Sequence, residues 1–518
     1  MQKPNRIDCD VLVVGGGING AGIARDAAGR GLSVVLCEKD DLASHTSSAS
    51  TKLIHGGLRY LEYYEFGLVR KALIEREVLM RSAPHIMRPL RFVMPHEKGQ
   101  RPAWMIRIGM FLYDSLARRE ILPGSHGISL RRHTAGQALK ADFTRGFAYS
   151  DGWVDDARLV VLNAMDAAEK GARVFTHTTC ESAVREGALW QATLRTTHQQ
   201  ADQQIIHVSA RSMVNATGPW AAHFLHTATQ LPTEKKVRLI KGSHIIVKAL
   251  FDHPYAYIFQ HPDGRIVFAI PYEHDFTLIG TTDIEYHDDV DKVVIDQDEI
   301  SYLCELSNHY FKKAITPDDV VWSYSGVRPL VEDESSSASA VTRDYQFEFD
   351  TEGAPLLSVF GGKITTFRKL AEQAVDLIAP VLSNDREGWT EHACLPGGDL
   401  FGEMPINRSV LEFDRYLHKL QSSYPWLPLQ LVTRYARSYG TRTNTLLANR
   451  HTLTDLGEEI APGLYAAEVA YLMHHEWATC ADDILWRRSK LGLHLSIDVK
   501  ESLTVWMKQH PVPDDVSR

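Results

Sequence analysis

The chain has 518 residues, 44% apolar and 23% charged, and its 56 Lys and Arg against 65 Asp and Glu give a formal net charge of −9. That composition excludes a disordered chain, and the acidic balance argues against a nucleic-acid binder, because phosphate backbone is repelled unless basic residues cluster. The length calls for about two or three domains.

The first ten residues carry Lys3, Arg6, Asp8 and Asp10 and lead into a short apolar run that ends in glycines. No secretory signal is expected there, and no stretch approaches the roughly 18 apolar residues of a membrane span. The cysteines (Cys9, Cys37, Cys180, Cys304, Cys394 and Cys480) form no C-x-x-C pair, which suits a reducing cytoplasm and argues against a zinc ribbon.

Asp10 to Val14 reads as a buried strand, followed by Gly15-Gly-Gly17-Ile-Asn-Gly20, an Ala-rich helix over 21–30, and a second strand over 33–37 ending in Glu38. This is a βαβ unit with G-x-G-x-x-G at its turn and an acid about 20 residues on. Gly15 permits the tight turn, Gly17 a close backbone approach to a pyrophosphate, and Gly20 close helix–strand packing. The helix N-terminus offers amides to phosphate. Glu38 accepts from ribose hydroxyls and repels a 2′-phosphate, so FAD or NAD is favoured over NADP.

A hydroxyl-rich run, Asp41 to Thr51, then enters Lys52-Leu-Ile-His55-Gly56-Gly57-Leu-Arg59-Tyr60. Small hydroxyl residues and glycines let a chain wrap phosphates and a flat ring. The segment 101–113 combines Trp, Met, Ile and Phe with Arg101 and Arg107. It reads either as an interfacial helix meeting anionic lipid or as a core helix with solvated arginines. Met213 to Gly218 is a strand running into Ala216-Thr217-Gly218. The runs 242–247, 265–270 and 277–280 alternate as antiparallel strands do. Leu356 to Glu372 reads as strand, Gly361-Gly362-Lys363, then an amphipathic helix whose N-terminus aims its positive end at a ligand.

Glu334 to Ser339 reads as a small-residue surface loop. Beyond about residue 390, after Leu395-Pro-Gly-Gly398, helical periodicity takes over. His474-His-Glu476 with Cys480 lacks metal-ligand spacing, so no metal is expected, and Trp477 and Trp486 read as core.

On the stretches 15–20, 46–60, 101–113, 155–158, 216–220, 241–244, 280–283, 324–329 and 361–363, and more loosely 481–488, the chain resembles the FAD-dependent, quinone-linked sn-glycerol-3-phosphate dehydrogenases. The resemblance implies an α/β and α+β architecture. It has an FAD-binding Rossmann-like domain of the glutathione-reductase/D-amino-acid-oxidase type, from residues 1–95, 150–240 and 340–385. An antiparallel-sheet substrate and membrane-facing domain takes 96–149 and 241–339, and a helical domain 390–518.

It implies FAD contacts at Gly15, Gly17, Ile18, Asn19, Gly20, Glu38, Thr46, Ser47, Ser48, Lys52, Leu53, His55, Gly56, Gly57, Cys180, Ala216, Thr217, Gly218, Gly361, Gly362, Lys363, Ile364 and Thr365. For the substrate, arginine suits a phosphate dianion because its planar fork binds bidentately. Arg59 and Arg328 are the candidates, with Lys363 joining by resemblance and Tyr60 as a hydrogen-bonding or packing neighbour. His55 is the candidate general base, alongside the alternative that it only contacts the flavin. His244 and Asp283 line the far side or serve structure.

The implied partners are sn-glycerol 3-phosphate, a membrane quinone and the inner face of the plasma membrane, with a homodimer as an assembly the resemblance allows. Three other readings stand beside this one: an oxidase using oxygen, a related amine or 2-hydroxy-acid flavoenzyme, and a flavin-binding regulator without turnover.

Overall fold

The computed structural model describes residues 5–97, 99–197, 204–233, 235, 237–260, 265–331 and 344–511. The loop expected over 334–339 lies outside them.

Two sheets organise the main body. In the first, Leu356–Gly361, Ile205–Asn215, Asn5–Val14, Val34–Cys37 and Arg173–Phe175 run parallel in that order, with Tyr345–Asp350 antiparallel at one edge. The central strands are near-continuous apolar runs, as strands covered on both faces must be. Helices Ile18–Gly29, Asp156–Glu169 and Phe367–Val381 cover one face, burying Ala24, Ala27, Val160, Ala164, Leu370 and Ala374 against Val11, Val13 and Leu36. A hairpin of Thr178–Glu186 and Leu189–Thr196 continues from Ile205–Asn215 and buries Trp190 on the other side.

The second sheet is almost entirely antiparallel. Its order is Ile284–Glu285, Val237–Lys248, Phe276–Gly280, Ile266–Tyr272, Ala256–Gln260, Met87–His96, Arg145–Val154 and Leu53–Ile54, with Val320–Val331 also paired to Val237–Lys248.

This hydrogen bonding differs from the expected division of the chain. Leu53–Ile54, residues 87–95 and residues 150–154 fall in the segments expected to bind nucleotide, yet all pair within the second sheet. The crossing happens inside the hydroxyl-rich run: the chain leaves the first sheet after Cys37 and enters the second at Leu53. No composition shift marks the change of sheet, so the division implied by the resemblance differs from the hydrogen bonding.

The C-terminal region is helical, with Phe413–Ser423, Leu429–Tyr439, Ala466–His475 and Asp498–Gln509 around Tyr416, Leu431, Tyr435, Leu472 and Leu503. Charge docks it onto the body. Arg488, fully buried, binds both oxygens of buried Asp41 at 2.6 and 2.7 Å, and Arg158 holds Glu476. Trp486 is half-buried rather than core: it stacks on Trp322 of the second sheet at 3.8 Å between centroids, and Trp477 is also half-buried.

Helix Ala103–Ser115 is not a core helix. Only Met110 and Tyr113 are buried, whereas Trp104 and Phe111 are 63% and 64% exposed and Met105, Ile108 and Leu112 also face outward. Exposed Tyr63, Tyr64 and Phe66 adjoin it, and Arg101 pairs with Glu62. Among the described residues no helix is long and apolar enough to cross a membrane.

Candidate active site

The glycine turn is built by backbone geometry. Gly15 has φ +109°, in the region that disfavours side chains, and a Cβ on Gly20 would lie 1.9 Å from the Gly15 carbonyl oxygen. Ile18 N–H donates to Ser47 Oγ at 2.9 Å, which ties the helix start to the hydroxyl-rich run. The helix carries no acid in its first turn, so its amides and dipole favour an anion. Buried Glu38 accepts from Gly16 N–H at 2.6 Å and Asp40 N–H at 2.9 Å, and burial raises its pKa.

The return passes close the cradle. Ala216 N–H donates to Val14 carbonyl at 2.9 Å, Thr217 bonds Asn215, and Gly218 has φ +58°. Asn19 Nδ2 donates to Gly361 carbonyl at 3.2 Å, while its buried Oδ1 has no hydrogen-bond partner. Gly361 and Gly362 both have positive φ, and a Cβ on Gly362 would press on Asn19 at 3.1 Å. A positive-φ glycine pair, an orphaned buried acceptor and an acid-free helix start fit the pyrophosphate and ring of a dinucleotide flavin.

The run 46–57 links the two sheets. Thr46 Oγ1 donates to Val327 carbonyl at 2.7 Å, and Ala49 lies where Gly326 leaves room for it. Lys52, in a left-handed conformation and buried, pairs with Asp156 at 2.8 Å and sits 4.7 Å over the Tyr324 ring. Burial lowers its pKa although Asp156 acts the other way. His244 bonds Thr51 Oγ1 at 2.9 Å and stacks on Tyr324. Burial first, then the Lys52 and Arg328 charges, hold it well below the usual imidazole range, so it is neutral. Ser48 Oγ donates to His45 carbonyl at 3.3 Å and its own carbonyl accepts from Lys52 Nζ, Leu53 is buried in the second sheet's core, and Cys180 lies in an apolar cluster with Cys37.

The substrate candidates lie on three segments. His55 is half-buried. Its N–H donates to Thr365 Oγ1 at 3.3 Å, and its ring meets Phe268 edge-on at 6.4 Å. Lys363 Nζ lies 3.8 Å from the Tyr60 ring centroid, and Arg59 donates to Tyr63 at 3.3 Å. Phe268 sits opposite Gly280 in the sheet register, and the next residue, Thr281, accepts from Arg328 at 2.9 Å. Arg328 also pairs with Asp283. Asp283 thus binds the arginine itself, and Thr282 behind it is fixed at 2.6 Å by buried Glu299. Sequence reasoning passed over Tyr324 and Asp156, although both lie in stretches that carried the resemblance. It missed Glu299 and Tyr113, whose helical and aromatic context looks like ordinary packing.

A glycine cradle that fits a dinucleotide flavin, joined by the 46–57 run to candidate basic side chains, suits a flavin-linked oxidoreductase. The chain belongs to the FAD dependent oxidoreductase family, which matches residues 10–368, and residues 389–509 match the C-terminal domain of alpha-glycerophosphate oxidase. Within that family it groups with the glycerol-3-phosphate dehydrogenases. It is 53% identical to the glycerol-3-phosphate dehydrogenase of Pseudomonas aeruginosa over 97% of this chain and 96% of that one. It is 49% identical to the D-erythritol 1-phosphate dehydrogenase of Brucella abortus, covering 96% and 97% of the two chains. The solved glycerol-3-phosphate dehydrogenase of Bacillus halodurans complexed with FAD superposes with a TM-score of 0.76 at 26% identity, covering 97% of this chain and 90% of that one.

Proposed function

We propose that this protein oxidises sn-glycerol 3-phosphate to dihydroxyacetone phosphate at the pocket between the two sheets and passes the electrons to a membrane quinone. FAD, when bound, would supply the two-electron acceptor for the hydride at C2. Arg59, Lys363 and Arg328 take the phosphate and orient C2, with Tyr60 bracing Lys363. His55 receives the C2 hydroxyl proton. Guanidinium and ammonium donors from three positions suit a phosphate dianion, which arginine binds bidentately. The convergence of Lys363 on Tyr60, beside the His55–Thr365 contact, carries this reading.

Anaerobic addition of donors tests it. Glycerol 3-phosphate should bleach the flavin band quickly and 2-hydroxy acids should not. If erythritol phosphate bleached it faster, the polyol assignment would fall while the phosphate-bearing class stood. A band that stayed yellow with every donor would favour a binding protein.

The acceptor reading rests on helix Ala103–Ser115. An outward face of Trp104, Met105, Ile108 and Phe111 beside Tyr64 has the composition of an interfacial surface, and a water-insoluble quinone requires one. Rapid peroxide formation with oxygen as sole acceptor would overturn the quinone half. The double variant Trp104→Ser/Phe111→Ser should lose vesicle binding and keep dye-linked turnover.

A further inference from the structure

Behind Arg328 runs a hydrogen-bonded relay that ends in a carboxylate with no part in the chemistry above. Glu299 stands in the first turn of helix Gln297–Tyr310, fully buried. One of its oxygens accepts from Thr282 Oγ1 at 2.6 Å and from Ser243 Oγ at 2.8 Å. The other accepts from Asp296 N–H at 3.1 Å and meets Lys241 Nζ at 2.7 Å. Four donors on two oxygens suit a carboxylate and not an amide, whose nitrogen would face donors on whichever side it took.

The links from Glu299 toward Arg328 are equally defined. Thr282 Oγ1, which donates to Glu299, accepts from Ser243 N–H at 2.9 Å, and Thr282 N–H donates to Ser243 carbonyl at 3.3 Å. Thr282 carbonyl accepts from Thr281 Oγ1 at 3.0 Å, and that hydroxyl in turn accepts from Arg328 at 2.9 Å. Arg328 also donates to Thr282 carbonyl at 3.4 Å and pairs with Asp283. Its guanidinium lies close against strand Val237–Lys248, where a Cβ on Gly242 would come within 2.2 Å of it. Three consecutive residues, 281 to 283, thus hold the guanidinium, and Glu299 holds the middle one. The Arg328 side chain stays 23% exposed, so a ligand can reach it.

A long side chain that must be ordered as it binds an anion gives up part of its binding energy, and ordering it beforehand avoids that loss. We propose that Glu299 and Thr282 are positioning residues: they fix the stretch 281–283, which presents the Arg328 guanidinium to the substrate phosphate already in its bound orientation. The proposal rests on the reading of Arg328 as a substrate-binding cation. The effect of both residues on substrate passes through Arg328, and a double-mutant cycle isolates such a dependence.

The test uses the FAD-loaded full-length protein and follows flavin bleaching by glycerol 3-phosphate in the absence of oxygen. Thr282→Val keeps the shape of the side chain and removes the hydroxyl. It should hold its flavin and need about 10-fold more substrate for half-maximal bleaching rate, with a smaller change in the limiting rate, as when a hydrogen bond supporting a charged group is lost. Thr282→Ser, which returns the hydroxyl, should recover most of that loss. Glu299→Gln should resemble Thr282→Val, and the Thr282 pair decides the matter if Glu299→Gln does not fold. In an Arg328→Ala background, Thr282→Val should make no further difference to the bleaching rate at low substrate. An unmoved substrate requirement in Thr282→Val, a serine variant no better than the valine one, or full additivity with Arg328→Ala overturns the relay alone. An Arg328→Ala protein that bleaches as readily as the wild type at low substrate overturns the reading of Arg328 and the relay with it.

Discussion

The glycine turn and the candidate substrate residues are made in opposite ways. The turn occupies residues 15–20 with Glu38 close behind, and its shape comes from backbone: a positive φ at Gly15 and a carbonyl 1.9 Å from any Cβ on Gly20. The candidate pocket draws His55, Arg59 and Tyr60 from one segment, Thr281 and Asp283 from a second, Arg328 from a third and Lys363 from a fourth. Its shape comes from side-chain charge. Added volume should therefore ruin the first, and a change of charge the second.

The largest effect follows from volume. Gly20→Ala should yield protein without visible flavin absorbance and without turnover, because the backbone cannot withdraw by the missing ångström. A yellow, active Gly20→Ala protein would break the contrast. Next comes charge. Arg328→Ala should keep its flavin while kcat/KM for glycerol 3-phosphate falls about 100-fold, the scale of a lost charged hydrogen-bond pair. A smaller change is expected from Asp283→Asn, which leaves the charge of Arg328 but loosens its orientation. KM should rise about 10-fold with kcat altered less, as for a single hydrogen bond to a charge. An unchanged KM would show that the guanidinium is positioned without the charge of Asp283.

The smallest effect lies outside both regions. His85 is buried against Gly397 and Gly440, where the C-terminal helices meet the body, and neither ring nitrogen has a hydrogen-bond partner. Burial first, then the Arg158 and Arg437 charges, push its pKa from 6.5 down to about 3. The unfolded imidazole takes up a proton below about 6.5 whereas the folded one does not. The contribution is therefore full above that pH and is lost as pH falls toward 3, by about 1 kcal/mol per pH unit. Unfolding midpoints compared at pH 7 and pH 5 should drop less in His85→Gln than in the wild type.

What was legible in the sequence follows the same contrast. The βαβ unit could be read directly because strand, glycine turn, helix and acid follow one another within about 25 residues. Lys363, Arg59 and Arg328 were nameable only because motifs surround them, and nothing local told that Asp283 would take hold of Arg328. The boundary between the sheets was misjudged because Leu53–Ile54 is a two-residue strand, far too short for any periodicity to register. The choice at 101–113 between interface and core turned on what lies beneath the helix, which a pattern cannot report.

The Asp41 anchor ties the nucleotide turn to a distant stretch of sequence. Its carboxylate sits three residues after Glu38, fully enclosed, and is held by Arg487 and by Arg488, 447 residues on. Removing one guanidinium while the site stays closed leaves a buried charge short of its partner. Arg488→Ala should therefore loosen the grip on flavin at the turn as well as the docking of the helical region, read as a smaller yellow fraction after gel filtration.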